Sequence, residues 1–502
     1  MYLRAGVFSL GLLLISRVLG LARESAQAAA FGASGMGDVV IVMFTLPDLL
    51  VGVLISGALS YVLLPAWARQ GDAERSAAQK KLAAYLGAGA LLTGALLWVF
   101  RGAVVQALAP GLRGDMQAVA SASMGWSAVV LPMAAVAALW ATRLQHAQDF
   151  VGMYAGNVLV NLVLVAGLLA VGRAVWATSA TPPEVVAALG GCLVLAMVVR
   201  LLWLAWRLRA VPTPIAVLQA PAGVAGLPPA GVWLWAVLAS SLALLLPLVG
   251  RSMVSQTGEG ALTSFNYAWK LVELPLVLAL QLVASLAFPA LAATAPQSPE
   301  RLQALQVAFG LAWALACAAV AAVATFSLPL VTALFGWGSM LPASLNVIAR
   351  WSAIGVWSLL PQAVIAVLLT LMAITGRMRM AVVVYACALA ALGFFGWAGP
   401  AQQAQGTSVM WAINGALVLV AAVLLMTERK DTARALPFVG VLVPLAVCVV
   451  LVLLKPVWTG VSMPVALALA AAYSLVVLAS GVAASQPLRQ LMSLKLSKFK
   501  KT

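Results

Sequence analysis

Charge is what this sequence has least of. Asp, Glu, Lys and Arg together make up 8% of its 502 residues, whereas a soluble domain carries about 25%. So few charges cannot clothe a water-facing surface. A soluble enzyme, a disordered chain and a nucleic-acid-binding module are therefore excluded, the last despite a formal net charge of +16. Histidine occurs once, at His146, and cysteine four times, at Cys192, Cys317, Cys387 and Cys448. Each cysteine stands alone in an apolar run with no C-x-x-C spacing, so no metal site is expected and the four read as small core hydrophobes. No G-x-x-x-x-G-K-[ST] occurs, so the chain hydrolyses no ATP by that route, and no cofactor is expected. His146 falls at the end of an apolar run and reads as a solvated loop residue rather than a base.

What the sequence does have is apolar length. Hydrophobic residues make up 64% of the chain, and the mean hydropathy is +1.07. A membrane-spanning helix needs about 20 apolar residues. Runs at roughly 6–30, 37–66, 82–108, 118–143, 150–172, 183–206, 229–257, 261–291, 302–328, 346–373, 380–399, 407–427, 435–455 and 462–484 predict about fourteen such helices and an all-α polytopic membrane protein. The first run has the flavour of a signal peptide, with Ala28-Ala29-Ala30 as its small-residue end. Arg17, Arg23 and Glu24 lie before that end, and a cleavage region does not normally hold three charges. The segment is expected to stay as the first membrane helix.

The Pro-, Gly- and Ala-rich stretch 207–228 reads as a linker between an N-terminal lobe, 1–206, and a C-terminal lobe, 229–430. Two additional helices, 431–484, follow, and then a basic amphipathic tail, 485–502. With a cytoplasmic N-terminus and alternating loops, nineteen basic residues fall on the cytoplasmic side and four on the opposite side. That asymmetry supports an inner-membrane protein with both ends inside. The tail LRQLMSLKLSKFKK interleaves apolar residues with Lys and is expected on the anionic inner leaflet. A faint repeat is also legible: Leu46-Pro47 and Leu274-Pro275 each fall in the second run of their half, as in parallel-repeat transporters.

Charges inside the runs are expensive in a bilayer and are functional candidates by default. They are Arg17, Arg23, Arg200, Arg251, Lys270 and Arg350, with Glu24, Asp38, Asp48 and Glu273. Arg17 lies about 16 Å into the first run, near mid-depth, and Arg23 about 25 Å in. Lys270 and Glu273 are three apart and can pair along one helix face. Arg200, Arg251 and Arg350 fall near the ends of their runs, where the head can snorkel to water. Several cations inside a membrane suit an anion carried on a lipid tail, because a diphosphate offers many acceptor oxygens to Arg forks.

The stretch Ser16-Arg17-Val18-Leu19-Gly20-Leu21-Ala22-Arg23-Glu24 resembles the first-helix motif of the MurJ/MviN lipid II flippases, within the wider superfamily of polysaccharide exporters. The likeness continues at Phe31-Gly32-Ala33, Asp38, Leu46-Pro47-Asp48-Leu49-Leu50 and Gly57-Ala58. It returns at Tyr267-Ala268-Trp269-Lys270-Leu271-Val272-Glu273-Leu274-Pro275 and Leu334-Phe335-Gly336-Trp337-Gly338. It implies two six-helix lobes around a central cationic cavity. That cavity would pass an undecaprenyl-diphosphate-linked peptidoglycan precursor from inner to outer leaflet by alternating access. The implied substrate-binding set is Arg17, Arg23, Asp38, Lys270 and Glu273. Val51 and Lys270 stand where the family usually has arginine, and Ser56 where it often has an acid. Arg251 is the candidate for restoring the missing cation. Three other readings compete: a flippase for another polyprenyl-linked oligosaccharide, a polytopic glycosyltransferase or ligase, and an exporter of drugs or small cations. The ligase would want a sizeable polar loop and an acidic or histidine base; the drug exporter would want buried carboxylates without the paired arginines.

Overall fold

The computed structural model describes residues 2–54, 59, 62, 63, 67, 72–178, 180–210, 229–276, 298–398, 406–432, 436–458 and 460–490. Among them the regular structure is helical throughout. Eleven of these helices are long and apolar enough to cross a membrane, and Phe438–Leu453 is a shorter apolar helix. The total of fourteen expected from hydropathy includes the run at 261–291, which is described only to residue 276. Most of the basic tail, from 491 onward, and the linker residues 211–228 lie outside the described residues.

The chain packs as two compact units: Met1–Thr263 with Trp337–Leu341, and Ser264–Gly336 with Pro342–Thr502. The first unit therefore holds the helix after the linker, where the sequence suggested that a second lobe begins. Its helices are α1 (Tyr2–Phe31), α2 (Gly35–Val53), α3 (Asp72–Val99), α4 (Arg101–Leu108), α5 (Gly114–His146), α6 (Phe150–Thr178), α7 (Pro182–Ala210) and α8 (Ala230–Ser255). The single run at 82–108 is thus two helices, broken at Phe100. α1 stops at Gly32, whose φ of +61° suits only a residue without a Cβ. Ser34 starts α2 two residues later, its hydroxyl accepting from the Gly37 amide at 3.2 Å. The tight joint keeps α1 and α2 adjacent and antiparallel, which brings their intramembrane charges into reach of one another.

The second unit begins with α9 (261–276), which starts in the first, and continues as α10 (Pro299–Phe335), α11 (Pro342–Gly355), α12 (Leu359–Thr375), α13 (Met378–Ala398), α14 (Gly406–Thr427), α15 (Phe438–Leu453) and α16 (Met463–Ala484). The run at 346–373 is two helices joined by a 3-10 turn, Val356–Ser358. α10 kinks at Phe326, where φ/ψ is −111°/34°. Pro329 causes this, since it lacks the amide that would bond the carbonyl four residues back and its ring crowds that turn. The Lys455 ammonium donates to the neighbouring Ala324 carbonyl at 3.1 Å.

Each unit carries a cross-helix ion pair at a matching place. In the first, Arg207 near the end of α7 forks onto Asp149 just before α6, with Nε and Nη2 bonds of 2.9 and 2.7 Å. In the second, Arg377 just before α13 bonds Glu428 just after α14 at 3.0 Å. The repeat read from two Leu-Pro pairs thus has a second signature, with cation and carboxylate exchanged between the helices. The Glu428 side chain is 0% exposed and that of Arg377 49%. Removing the arginine breaks this pair from one side at a buried carboxylate, so Arg377→Ala is expected to destabilise the protein by about 3 kcal/mol. Glu428→Gln, which removes the buried charge itself, should cost less. Melting of the two variants in detergent checks the order; equal melting temperatures would contradict it.

Two side chains differ from expectation. Cys387 is exposed, while Cys317 and Cys448 are buried. His146 sits within the last turn of α5, partly buried, with its ring edge-on to Trp67 at 5.6 Å. An imidazole at a helix end can use an aromatic edge as readily as solvent.

Candidate functional site

The charges of α1 are placed by its packing on α6. Gly20 faces Asn161, with room for no more than a van der Waals contact, and the Asn161 amide donates to the Ser16 carbonyl at 3.4 Å. α1 continues through Gly20 as helix, so Arg17 and Arg23 stay about 120° apart around its axis. Arg17 is partly buried, within electrostatic reach of Tyr154 on α6. Among the described residues it has no carboxylate partner.

Arg23 is held firmly. Its Nη2 donates to Glu24 Oε1 at 3.0 Å and to Asp48 Oδ2 at 2.9 Å, and Nη1 reaches Asp48 Oδ1 at 3.5 Å. The Phe44 ring lies under the guanidinium at 5.6 Å, one turn before Asp48 on α2. Face and edge of the fork are therefore both engaged. The Arg23 and Glu24 side chains are 11% and 7% exposed, whereas Asp48 is 54% exposed. Asp48 is the open end of the cluster, the place from which a competing anion could approach. Glu24, seven residues after Arg17 on α1, bonds its chain neighbour Arg23.

The remaining candidates are placed separately. Asp38 is buried, and both its oxygens are committed: Oδ2 accepts from the Gly260 amide at 2.8 Å, and Oδ1 accepts from the Thr263 amide and hydroxyl at 2.8 and 2.6 Å. It fastens the start of α2 to the start of α9. A Cβ at Gly37 would come within 2.9 Å of the Thr263 hydroxyl, so the approach depends on glycine. In this position Asp38 serves the fold. The Lys270 ammonium donates to Glu273 Oε2 at 2.8 Å along α9, as the spacing predicts. Arg251 is partly buried in the last turns of α8. That helix end is stapled by Ser252 donating to the Ala107 carbonyl at 2.7 Å and Ser255 accepting from the Gly111 amide at 3.2 Å.

Arg200 corrects the sequence reading most. α7 extends to Ala210, so Arg200 is ten residues from its end, and it is 3% exposed rather than snorkelled. Arg350, by contrast, is exposed. Sequence reasoning marked Leu334 to Gly338 for the family likeness but gave 337–341 no role in packing. Gly338, at φ +59°, would press a Cβ to 2.3 Å from the Ala29 carbonyl. Ser339 donates its amide to that carbonyl at 2.9 Å and accepts from Trp176 Nε1 at 2.8 Å. The Gly-Trp-Gly motif is thus a packing device on α1 and α6. Among the described residues no cluster of three or more His, Cys, Asp or Glu is placed to hold a metal ion.

The family model described as Lipid II flippase MurJ matches residues 27–467. The chain is 28% identical over 361 residues to Lipid II flippase MurJ of Burkholderia cenocepacia, covering 68% of this chain and 67% of that protein. It is 32% identical over 111 residues to Probable lipid II flippase MurJ of Rickettsia prowazekii, 22% of each. In fold it is similar to a solved Lipid II flippase MurJ in an inward closed conformation, with TM-score 0.75 and 12% identity over 94% of this chain and 98% of that one. It is similar also to an inward-facing multidrug resistance MATE family transporter of the MOP superfamily, with TM-score 0.61 and 14% identity over 84% and 95%.

Proposed function

The chain belongs to the lipid II flippase MurJ family, and from that premise we propose that it carries lipid II across the bacterial inner membrane by gripping the diphosphate with Arg17 and Arg23. The observation that carries this reading is the charge cluster at the α1–α2 face. Arg23 alone faces two carboxylates, Glu24 and Asp48, and Arg17 brings the four charges to neutrality while having no carboxylate partner of its own among the described residues. A neutral or cationic substrate gains nothing from the uncommitted Arg17 guanidinium. A diphosphate can take the Arg17 fork outright and compete for Arg23 at its open, Asp48 side. Arg251, in the same unit, is the further cation we assign to the site, and Lys270 is proposed as a substrate-binding cation of the second unit. Lys270 supplies charge without the bidentate geometry of an arginine.

Transport proceeds by alternating access, with both chain ends in the cytoplasm and the basic tail on anionic lipid. An inside-negative membrane potential favours outward passage of an anion by about 2.3 kcal/mol per charge per 100 mV. Asp38 and Glu273 take part by holding α2 and Lys270 in place. The protein moves its substrate without altering a covalent bond, unlike a ligase. The test is depletion of the resident lipid II flippase in a bacterium expressing this chain, with outer-leaflet lipid II measured directly. Growth together with surface lipid II is expected. Lipid II held inside while another polyprenyl-diphosphate oligosaccharide is exported would reassign the substrate.

A further inference from the structure

We propose that the groove between the last turns of α1 and α6 holds a membrane phospholipid, with one acyl chain along the groove and an anionic headgroup on Arg173. The site is separate from the Arg17 and Arg23 cluster and does not depend on which substrate that cluster carries. The cavity has a volume of about 300 Å³, at the small end of ligand-sized pockets. Its floor is Leu168 and Gly172 of α6 with Ala30 of α1, all buried, and its sides include Leu169 and Trp176, both exposed. Small residues shape it. A Cβ at Gly172 would come within 2.9 Å of the Ala30 Cβ. The two helices therefore meet almost backbone to backbone, and the trough runs beside that contact.

Its surroundings identify the occupant. Leu162, Ala166, Leu169, Arg173 and Trp176 recur at steps of three and four residues and form one exposed stripe of α6. An apolar stripe of this kind on a membrane helix lies against acyl chains. Arg173 interrupts it five residues before the helix ends at Thr178, where a long stem lifts the guanidinium to headgroup level. Trp176, one turn nearer the end, is of the residue type that settles at that level. Arg173 is exposed and has no carboxylate partner among the described residues. Its charge complements a phosphate, and its fork can take two of the oxygens. A basic rim over an apolar trough fits an anionic lipid better than a zwitterionic one or an apolar helix of another protein.

The trough is also formed in advance. Trp176 Nε1 donates to the Ser339 hydroxyl at 2.8 Å, and a Cβ at Gly338 would come within 2.8 Å of the indole ring. The ring is thus fixed against 337–341 before a lipid arrives, so little rotamer freedom is lost on binding. A chain seated there touches α1 and α6 together. It braces the end of α1, where the Ala29 carbonyl accepts from the Ser339 amide at 2.9 Å, less than two turns from Arg23.

The experiment uses the full-length protein, delipidated in detergent and then given phosphatidylglycerol or phosphatidylcholine. Bound lipid is counted by native mass spectrometry as activation is raised, beside the melting temperature. The parent is expected to keep one phosphatidylglycerol in preference to phosphatidylcholine, and to melt higher with it. Arg173→Gln should weaken that retention roughly tenfold and bring the two lipids level. Ala29→Leu, which fills the trough from a partly exposed wall, should weaken retention of both. Melting at the parent temperature without lipid shows that a variant is folded. If Ala29→Leu is not, Leu169→Ala, which removes an exposed wall, takes its place. Equal retention of the two lipids by the parent overturns the site, as does unchanged retention in Arg173→Gln. Displacement of the lipid by a second copy of the chain overturns it too. Lipid II binding measured on the same variants should stay at the parent level; a loss in step with phosphatidylglycerol would put Arg173 in the substrate path and defeat the proposal.

Discussion

Arg17→Ala abolishes lipid II translocation and leaves the amount of protein in the membrane unchanged; this is the expected result with the widest gap between activity and stability. Arg17 has no carboxylate partner among the described residues and is only partly buried. Its loss strands no opposite charge, so the fold should lose no more than about 0.5–1 kcal/mol. For the substrate the loss is larger. A fork onto phosphate makes two charge-assisted hydrogen bonds, each of about 1.5–3 kcal/mol, so transport should fall by at least roughly two orders of magnitude. Surface labelling of lipid II in cells lacking the resident flippase, beside an immunoblot of membranes, reads both quantities. Substantial flipping by Arg17→Ala removes this residue from the site.

Arg23→Ala should also silence transport, but with a different companion effect. Here Glu24, 7% exposed, loses the cation it bonds at 3.0 Å. Breaking a buried pair from one side costs about 3–5 kcal/mol, so less protein should accumulate. Asp48, at 54% exposed, is solvated and adds little to that penalty. Arg23→Lys separates the two roles: charge is kept, and the protein level should recover. An ammonium cannot span Glu24, Asp48 and a phosphate with fixed geometry, so transport should stay at least about tenfold low. Full activity in Arg23→Lys would mean that only charge matters at this position and that the bidentate geometry does not.

The contrast between these neighbours was only half visible in the chain. Both arginines stand out because a charge amid apolar residues is costly wherever the helix sits. Which one is engaged depends on Asp48, 25 residues away on another helix. Asp38 shows the same limit. Its type and depth marked it as a site candidate, yet Gly260 and Thr263 claim both of its oxygens. Arg200 was misjudged by four residues of helix: the apolar run stops at 206 and α7 at Ala210. Hydropathy fades where Arg207 and Arg209 begin, although arginine is a good helix former and continues the backbone.

What the sequence determined alone is therefore the membrane-embedded helical character, the main helices to within a few residues, and the identity of the intramembrane charges. These follow from local quantities, namely transfer free energy over some twenty residues and the cost of burying a charge. The tertiary structure decided the partners: Arg23 with Asp48, Asp38 with the start of α9, Arg207 with Asp149, and the docking of 337–341 on α1. Pairing between helices depends on how each is rotated about its axis and on its height against its neighbour. Neither is encoded in a run of apolar residues, whose faces look alike until packing selects one.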